Sequence, residues 1–462
     1  MARTLDVYLH DDLVGHLVQD DGGQMLFDYT ADWPNKPGAM PLSQSLPLRK
    51  ESFKGKECRA FFAGTLPEES KREIIARNLG ISAGNDYAML EQIGGECAGA
   101  VTFIPAGGPL PELNYGYRKL SEKELAVILR ELPKRPLLAG DKGIRLSLAG
   151  AQDKVAVRIE DGQVSLPLGG APSTHILKPA VERFEGVVFN EALCMKLAAA
   201  SGLPAAGVET RTVDGVDFLL VERYDRYHRQ VPGAEPVLER LHQEDFCQAQ
   251  GIVSELKYQK EGGPSLKQCF GLLREVSSAP VIDLARLLDT VIYNYLVGNN
   301  DAHGKNFSPL YKKQENGNLE IRLSPLYDIV STAYYPELSR DMAMKLGREY
   351  SSEKIMPRDF EQLAEEAGLG KAQVKRRVPE LVETVTGALA KIEIAHPTAE
   401  KVAALIRERC DKALNSFKNR STGETERTKQ NTESTAAIPK INDANLQAMC
   451  DILGATDTGL TG

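Results

Sequence analysis

The sequence predicts an α+β fold: a small strand-rich lobe joined to a larger helical lobe, preceded by a separate α+β segment. Three observations lead there. Alternating apolar runs separated by turn residues fill the first half, helical spacing takes over after about residue 244, and one apolar helical run interrupts the middle strands. At 462 residues the chain exceeds what one hydrophobic core organises, so several domains are expected.

The first segment, residues 1–140, opens with alternating runs at 5–9 and 24–29, punctuated by the turn residues 20–23. A polar, proline-bearing loop covers 32–41. Helical spacing follows at 68–78 and 86–93, each run ending in glycines. Residues 105–114, rich in Gly and Pro, read as a connection. Ser121 opens a helix to Leu132 with Glu124 as the partner of a capping box. The middle part, 141–243, carries strands at 154–160, 163–168 and 175–177, then a helix at 190–200. Strands at 208–213 and 216–223 flank Asp214-Gly215, a strong hairpin signal. The helical part, 244–415, has helices at 245–252, 266–276 and 284–297, then a hairpin turning at Asn316-Gly317. Helices at 357–367, 371–385 (broken at Pro379) and 399–415 close it. Residues 416–462 are polar and read as a disordered tail, with one short helix at 442–453.

The net charge of −8 argues against a chain that coats nucleic acid by itself. No run approaches 18 apolar residues, so no membrane helix is expected, and the first residues lack a secretory apolar region. The seven cysteines are scattered and never form Cys-x-x-Cys. That pattern suits reduced thiols in a cytoplasmic protein rather than disulfides or a zinc site.

The chemistry concentrates in Gly298-Asn299-Asn300-Asp301-Ala302-His303-Gly304-Lys305-Asn306, directly after an apolar helix. Asp301 and Asn306 are five residues apart, the separation used in protein-kinase catalytic loops. One carboxylate there meets the hydroxyl that attacks a γ-phosphoryl group, and an amide oxygen one loop-turn later reaches magnesium. A second metal-binding carboxylate is Asp328, which follows the hairpin. His303 either buttresses the loop by hydrogen bonds or moves protons. Lys178 ends an apolar strand, where an ammonium would neutralise ATP phosphates; Glu191 either pairs with it or simply favours a helix N-terminus. In Ser147-Leu148-Ala149-Gly150-Ala151-Gln152-Asp153-Lys154, small residues let backbone N–H groups approach phosphate, though the string fits no standard phosphate-loop motif. Glu222-Arg223-Tyr224-Asp225-Arg226 leads from the last hairpin strand into the helical part. That is where an adenine edge would pair with backbone, although Arg223 and Arg226 fit surface charges equally.

Taken with Thr174-His175-Ile176-Leu177-Lys178-Pro179, Gln243-Glu244-Asp245-Phe246-Cys247-Gln248 and Tyr327-Asp328-Ile329, these motifs resemble the HipA family, serine/threonine kinases that act as toxins of type II toxin–antitoxin modules. The resemblance runs from the N-terminus to about residue 415 and includes the stretches at 41–49 and 62–68. Mild departures fall at Leu148 and Asp153, where the family often has Val and Glu. The resemblance implies a two-lobed kinase-like fold using ATP and Mg2+, with Asp301 as catalytic base and Asn306 and Asp328 as magnesium ligands. It makes Lys178 a phosphate-binding residue, 149–153 the phosphate-facing turn, and 222–225 the adenine hinge; Gln243, His303 and Lys305 join the nucleotide site. Ser147 would be an inactivating autophosphorylation site, because phosphoserine adds nearly two charges beside bound ATP. The implied partners are a protein substrate of the aminoacyl-tRNA synthetase class, such as the glutamate enzyme, and a helix-turn-helix antitoxin, HipB. Operator DNA would be reached mainly through that antitoxin. Lys375, Arg376 and Arg377 either touch DNA phosphates or form a solvated basic face. Two other readings stand beside this one: a small-molecule phosphotransferase, and a catalytically silent corepressor.

Overall fold

Two antiparallel sheets carry the N-terminal half of the computed structural model, which describes residues 2–108, 116–230, 233, 236–314 and 317–432, with side chains to residue 418. The first sheet orders Phe53–Lys54, Met25–Tyr29, Asp12–Gln19, Arg3–Leu9 and Val101–Pro105. Three of these strands, the two-residue Phe53–Lys54 among them, differ from the sequence expectation. Asp12–Gln19 was missed, and Val101–Pro105 precedes the stretch read as connection. Gly15 explains the first miss: a Cβ there would sit 2.4 Å from Asp28 O, so close strand approach selects a weak strand former. Leu5, Val7, Val14, Leu17, Phe27 and Phe103 are fully buried on one face. Against it packs a helix, Lys56–Gly64, whose Phe61 and Phe62 enter the same core.

The second sheet orders Val208–Val213, Val216–Glu222, His175–Pro179, Val155–Glu160, Gln163–Leu168 and Gly116–Lys119. The hairpin turn is as expected, with Asp214 at φ 46° and Gly215 at φ 75°. The capping box holds too: Ser121 N–H donates to Glu124 Oε2 at 2.8 Å, and Glu124 N–H to Ser121 Oγ at 3.3 Å. The division at residue 140 does not follow the sheets, because Gly116–Lys119 from the first segment forms the edge of the second. The chain forms two compact units, Met1–Leu414 and Asn415–Gly462, and the first holds every sheet among the described residues.

In the helical part, Leu266–Val276, Pro280–Val297, Pro357–Ala367 and Lys371–Leu389 pack around buried leucines and valines. Lys371–Leu389 runs unbroken through Pro379. Val374, Val378, Leu381, Val382 and Val385 bury one continuous face, and their packing outweighs the backbone bond the proline cannot make. Pro309–Lys313 and Leu319–Leu323 pair as expected, while position 316 lies outside the described residues. The final helix, Pro397–Thr432, extends into the stretch read as disordered; residues 433–462, including the expected helix at 442–453, lie outside the described residues. Among the described residues, six cysteines are free and buried. No helix among the described residues is long and apolar enough to cross a membrane.

Candidate active site

The loop that carries Asp301 begins where Pro280–Val297 stops. Gly298 takes a left-handed φ of 73° that ends the helix, and a Cβ there would lie 2.7 Å from that of Ala333. The two asparagines then lock the loop. Asn299 Nδ2 donates to Asn294 Oδ1 at 2.9 Å, and Asn299 Oδ1 accepts from Asp301 N–H at 3.1 Å. Asn300 N–H donates to Thr332 Oγ1 at 2.8 Å, and its carbonyl accepts from Ala343 N–H at 2.7 Å. Asp301 is left exposed at the cavity wall, where its Oδ1 accepts from the Tyr258 hydroxyl at 2.8 Å. His303 is buried, and burial pushes its imidazole below the usual range. Its ring packs edge-on to Tyr258 with centroids 5.4 Å apart, while Nδ1 finds no hydrogen-bond partner among the described residues. Its backbone ties the loop, N–H donating to the Asp301 carbonyl at 2.8 Å and the carbonyl accepting from Asn306 N–H at 2.9 Å.

Lys178 emerges from His175–Pro179, and Glu191 from the helix Val187–Ala200. Their side chains meet: Lys178 Nζ lies 2.6 Å from Glu191 Oε1 and 2.5 Å from Asp328 Oδ1. Burial disfavours the Lys178 charge, but the two carboxylates outweigh it and hold the ammonium above its usual range. Asp328 answers in kind. Burial would raise it, yet Lys178 and Lys154 keep it well below the ordinary carboxylate range. Its φ of 59° is rare for a residue with a Cβ, and such outliers concentrate at functional sites. Asn306 Nδ2 reaches the Asp328 carbonyl at 3.5 Å, so loop and post-hairpin turn are joined.

Asp301, His303, Lys178, Asn306 and Asp328 face one cavity of about 970 Å³, walled also by the turn at 148–154 and by residues 222–225. A cavity of this size, with charged groups of both signs in its wall, suits a nucleotide-sized ligand. In the turn, Gly150 takes φ 106°, and the Lys154 ammonium donates to the Ala149 carbonyl at 2.8 Å. No cluster of three or more His, Cys, Asp or Glu side chains fit for a metal occurs among the described residues. The Asp328 carboxylate and Asn306 amide nevertheless offer the sparse, hard oxygen set with which Mg2+ binds alongside phosphates and water.

Other expected site residues have different work. Arg223 and Arg226 are not surface charges: both are buried. Arg223 contacts Glu96 at 2.9 Å and Asp225 at 2.8 Å, while Arg226 meets Glu96 at 2.6 Å. The side chains of Arg223 and Asp225 are therefore spent in this cluster. Gln243 supports Asp225 Oδ2 at 3.0 Å. Asp153 pairs with Lys71 at 2.7 Å. Lys305 lies in the cavity wall, where its Nζ is held 2.6 Å from Asp245 and 3.1 Å from the Gly64 carbonyl. Ser147 is fully buried; its Oγ donates to the Thr65 carbonyl at 2.8 Å and its N–H to the Glu96 carbonyl at 2.9 Å. In the basic stripe, Arg377 is held by both oxygens of Asp289 at 2.6 and 2.9 Å, and Arg376 lies 3.2 Å from Glu380.

Residues 146–389 match the model of the HipA-like C-terminal domain, and residues 5–104 that of the HipA N-terminal domain. The chain belongs to the HipA family. "Putative kinase Y4mE" of Sinorhizobium fredii is 47% identical over 85% of this chain and 92% of its own. The HipA of Shewanella oneidensis, named a serine/threonine-protein kinase toxin, is 30% identical over 83% of this chain and 89% of its own. A solved complex of Shewanella oneidensis HipA, HipB and operator DNA contains a chain that superposes with a TM-score of 0.77 at 27% identity, covering 90% of this chain and 99% of that one.

The HipA-type site contains three residues that sequence reasoning missed as contributors: Glu68, Lys257 and Tyr258. Lys257 Nζ meets Glu68 at 2.9 Å, and Tyr258 touches Asp301. Glu96 was likewise missed. Its partners lie 127 and 130 residues away, and no periodicity announces such a pairing.

Proposed function

We propose that this chain is an ATP- and Mg2+-dependent serine/threonine-protein kinase of the HipA type. The observation that supports it most is the buried Lys178 ammonium held between Glu191 and Asp328 in the wall of the cavity that Asp301 also lines. In this reading Lys178 neutralises ATP phosphates, and the adenine edge meets backbone groups of Glu222 to Asp225. The N–H groups of Glu222 and Arg223 already donate to the Gly207 and Thr174 carbonyls at 2.8 and 2.9 Å, and the Asp225 carbonyl accepts from Leu241 N–H at 2.8 Å, so the pairing falls to the backbone of Tyr224. Asp301 takes the proton of the acceptor hydroxyl as its oxygen bonds to the γ-phosphorus. The bond to the β–γ bridging oxygen breaks, and ADP leaves. Asn306 and Asp328 would hold Mg2+, which neutralises charge on the phosphates.

The finer reading follows the family. The substrate is a protein serine of an aminoacyl-tRNA synthetase, and the outcome is growth arrest. A HipB-like antitoxin is the partner, and operator DNA is reached through it, in keeping with the acidic neighbours that engage Arg376 and Arg377. Autophosphorylation falls on Ser147, whose burial requires the loop to open first. Intact-mass spectrometry with and without Mg-ATP, followed by peptide mapping around Ser147, tests the reading. A phosphate gained there by the wild type but not by Asp301→Asn supports it. ATP consumed with no protein phosphorylated would move the assignment to a small-molecule phosphotransferase.

A further inference from the structure

Glu68 stands where three parts of the site converge. It belongs to the N-terminal domain, just ahead of the helix Glu69–Leu79, and only 7% of it is exposed. Its carboxylate takes the Lys257 ammonium at 2.9 Å, one residue before Tyr258, whose hydroxyl holds Asp301. It also faces the Lys305 ammonium at 3.5 Å, one residue before Asn306. Its backbone N–H donates to the Gly150 carbonyl at 3.3 Å in the phosphate-facing turn, beside the bridge of Pro67 to Gly150. Burial alone would push the carboxyl up, but Lys305 and Lys257 outweigh it and hold it below the usual range. A charged group is thus buried where two cations and one backbone contact fix three different loops.

We infer that Glu68 is a positioning residue of the phosphoryl-transfer site, so that the N-terminal domain sets the catalytic geometry as well as covering the core. The inference rests on the kinase reading above. Glu68 touches neither Asp301 nor Asn306; it acts through Lys257 and Tyr258 on one side and Lys305 on the other. Lys305 keeps Asp245 and the Gly64 carbonyl when Glu68 is neutralised, whereas Lys257 is left with the exposed Glu69 at 3.2 Å. The larger effect therefore falls on the Tyr258–Asp301 side. Misplacing a reacting group by about 1 Å costs on the order of 100-fold in rate.

The test uses the full chain, with steady-state Mg-ATP turnover, nucleotide affinity and melting temperature measured for wild type, Glu68→Gln, Glu68→Asp, Lys257→Gln and the double variant Glu68→Gln/Lys257→Gln. The expected result is a fall in kcat of about 10- to 100-fold for Glu68→Gln. KM for ATP stays within about twofold, because a positioning residue acts on the transition state and not on ground-state binding. Glu68→Asp recovers part of the rate, and the double variant is no slower than the slower single one, as expected of a coupled pair. If Glu68→Gln does not fold, Lys257→Gln carries the same expectation alone. Turnover of the Gln variants within twofold of wild type would overturn the inference and leave the kinase reading standing. So would a loss that tracks melting temperature and KM together. A wild type that transfers no phosphoryl group overturns both.

Discussion

Glu96→Gln is the sharpest probe of how the N-terminal domain and the hinge are fused. Glu96 is fully buried, and its carboxylate accepts from Arg223 at 2.9 and 3.0 Å, from Arg226 at 2.6 Å and from Ser173 Oγ at 3.2 Å. Burial alone would raise its pKa, but the guanidiniums of Arg223 and Arg226 reverse that and bring it from 4.5 down to about 2. At about 1.4 kcal/mol per unit, the ionised carboxylate stabilises the fold by about 3 kcal/mol. Removing one partner of a buried ionic group gives a similar figure, about 3–5 kcal/mol, since Gln leaves two guanidiniums facing the single carboxylate of Asp225. The sign follows from the lowered pKa. The contribution is complete above about pH 4.5 and disappears as pH falls toward about 2. Urea unfolding of wild type and variant from pH 8 to pH 3 reads it directly. The gap should be constant from pH 8 to 5 and narrow below that. A gap under about 1 kcal/mol at neutral pH, or one that changes between pH 5 and 8, would refute the reasoning.

Four further outcomes are expected. Asp301→Asn abolishes phosphoryl transfer while nucleotide titration shows ATP affinity within about twofold of wild type, because the proposed role of Asp301 is at the acceptor hydroxyl and not at the phosphates. Lys178→Met breaks both ion pairs and lowers turnover at least about 100-fold, read by the same mass-spectrometric assay; unchanged transfer would remove Lys178 from the site. Ser147→Ala eliminates the phosphate gain and loses one buried hydrogen bond, so unfolding free energy drops by only about 1 kcal/mol. Glu244 is held by the Ser43 hydroxyl, Gln44 N–H at 2.9 Å and Tyr311 hydroxyl at 2.5 Å, yet burial raises its pKa to about 7. A raised pKa gives stability that is full below about pH 4.5 and fades as pH rises through 7, so Glu244→Gln should flatten the pH–stability profile over that interval.

What the sequence made legible was local. The capping box at Ser121 and the Asp214-Gly215 hairpin depend on residues within a few positions of one another, and both recur in the structure; Asp301 and Asn306, equally close in sequence, line one cavity. What it hid was non-local. The strand Asp12–Gln19 carries Gly15 for a close approach visible only once its neighbour is placed. Lys305 looks like a phosphate ligand beside Asn306 until Asp245 and Gly64 are brought under it by folding. The hinge arginines look solvated because charged residues usually are, and only their pairing with Glu96 makes burial tolerable. Pro379 was read as a helix break because local propensity argued alone there, without the buried valines that override it.

The Glu96 and Glu68 contacts also bear on how the chain can be divided. The two family matches, 5–104 and 146–389, invite a cut between them. A polypeptide starting near residue 146 would present the guanidiniums of Arg223 and Arg226 with one carboxylate fewer, leave Lys257 without its buried counter-charge, and strip the edge strand Gly116–Lys119 from the sheet that bears Lys178. Recurrence as a unit among relatives is therefore not autonomy as a folding unit in this chain. Engineering that exchanges N-terminal domains between relatives has to carry Glu68, Glu96 and their cations together, or else accept a partner lobe that is unpaired at its own active site.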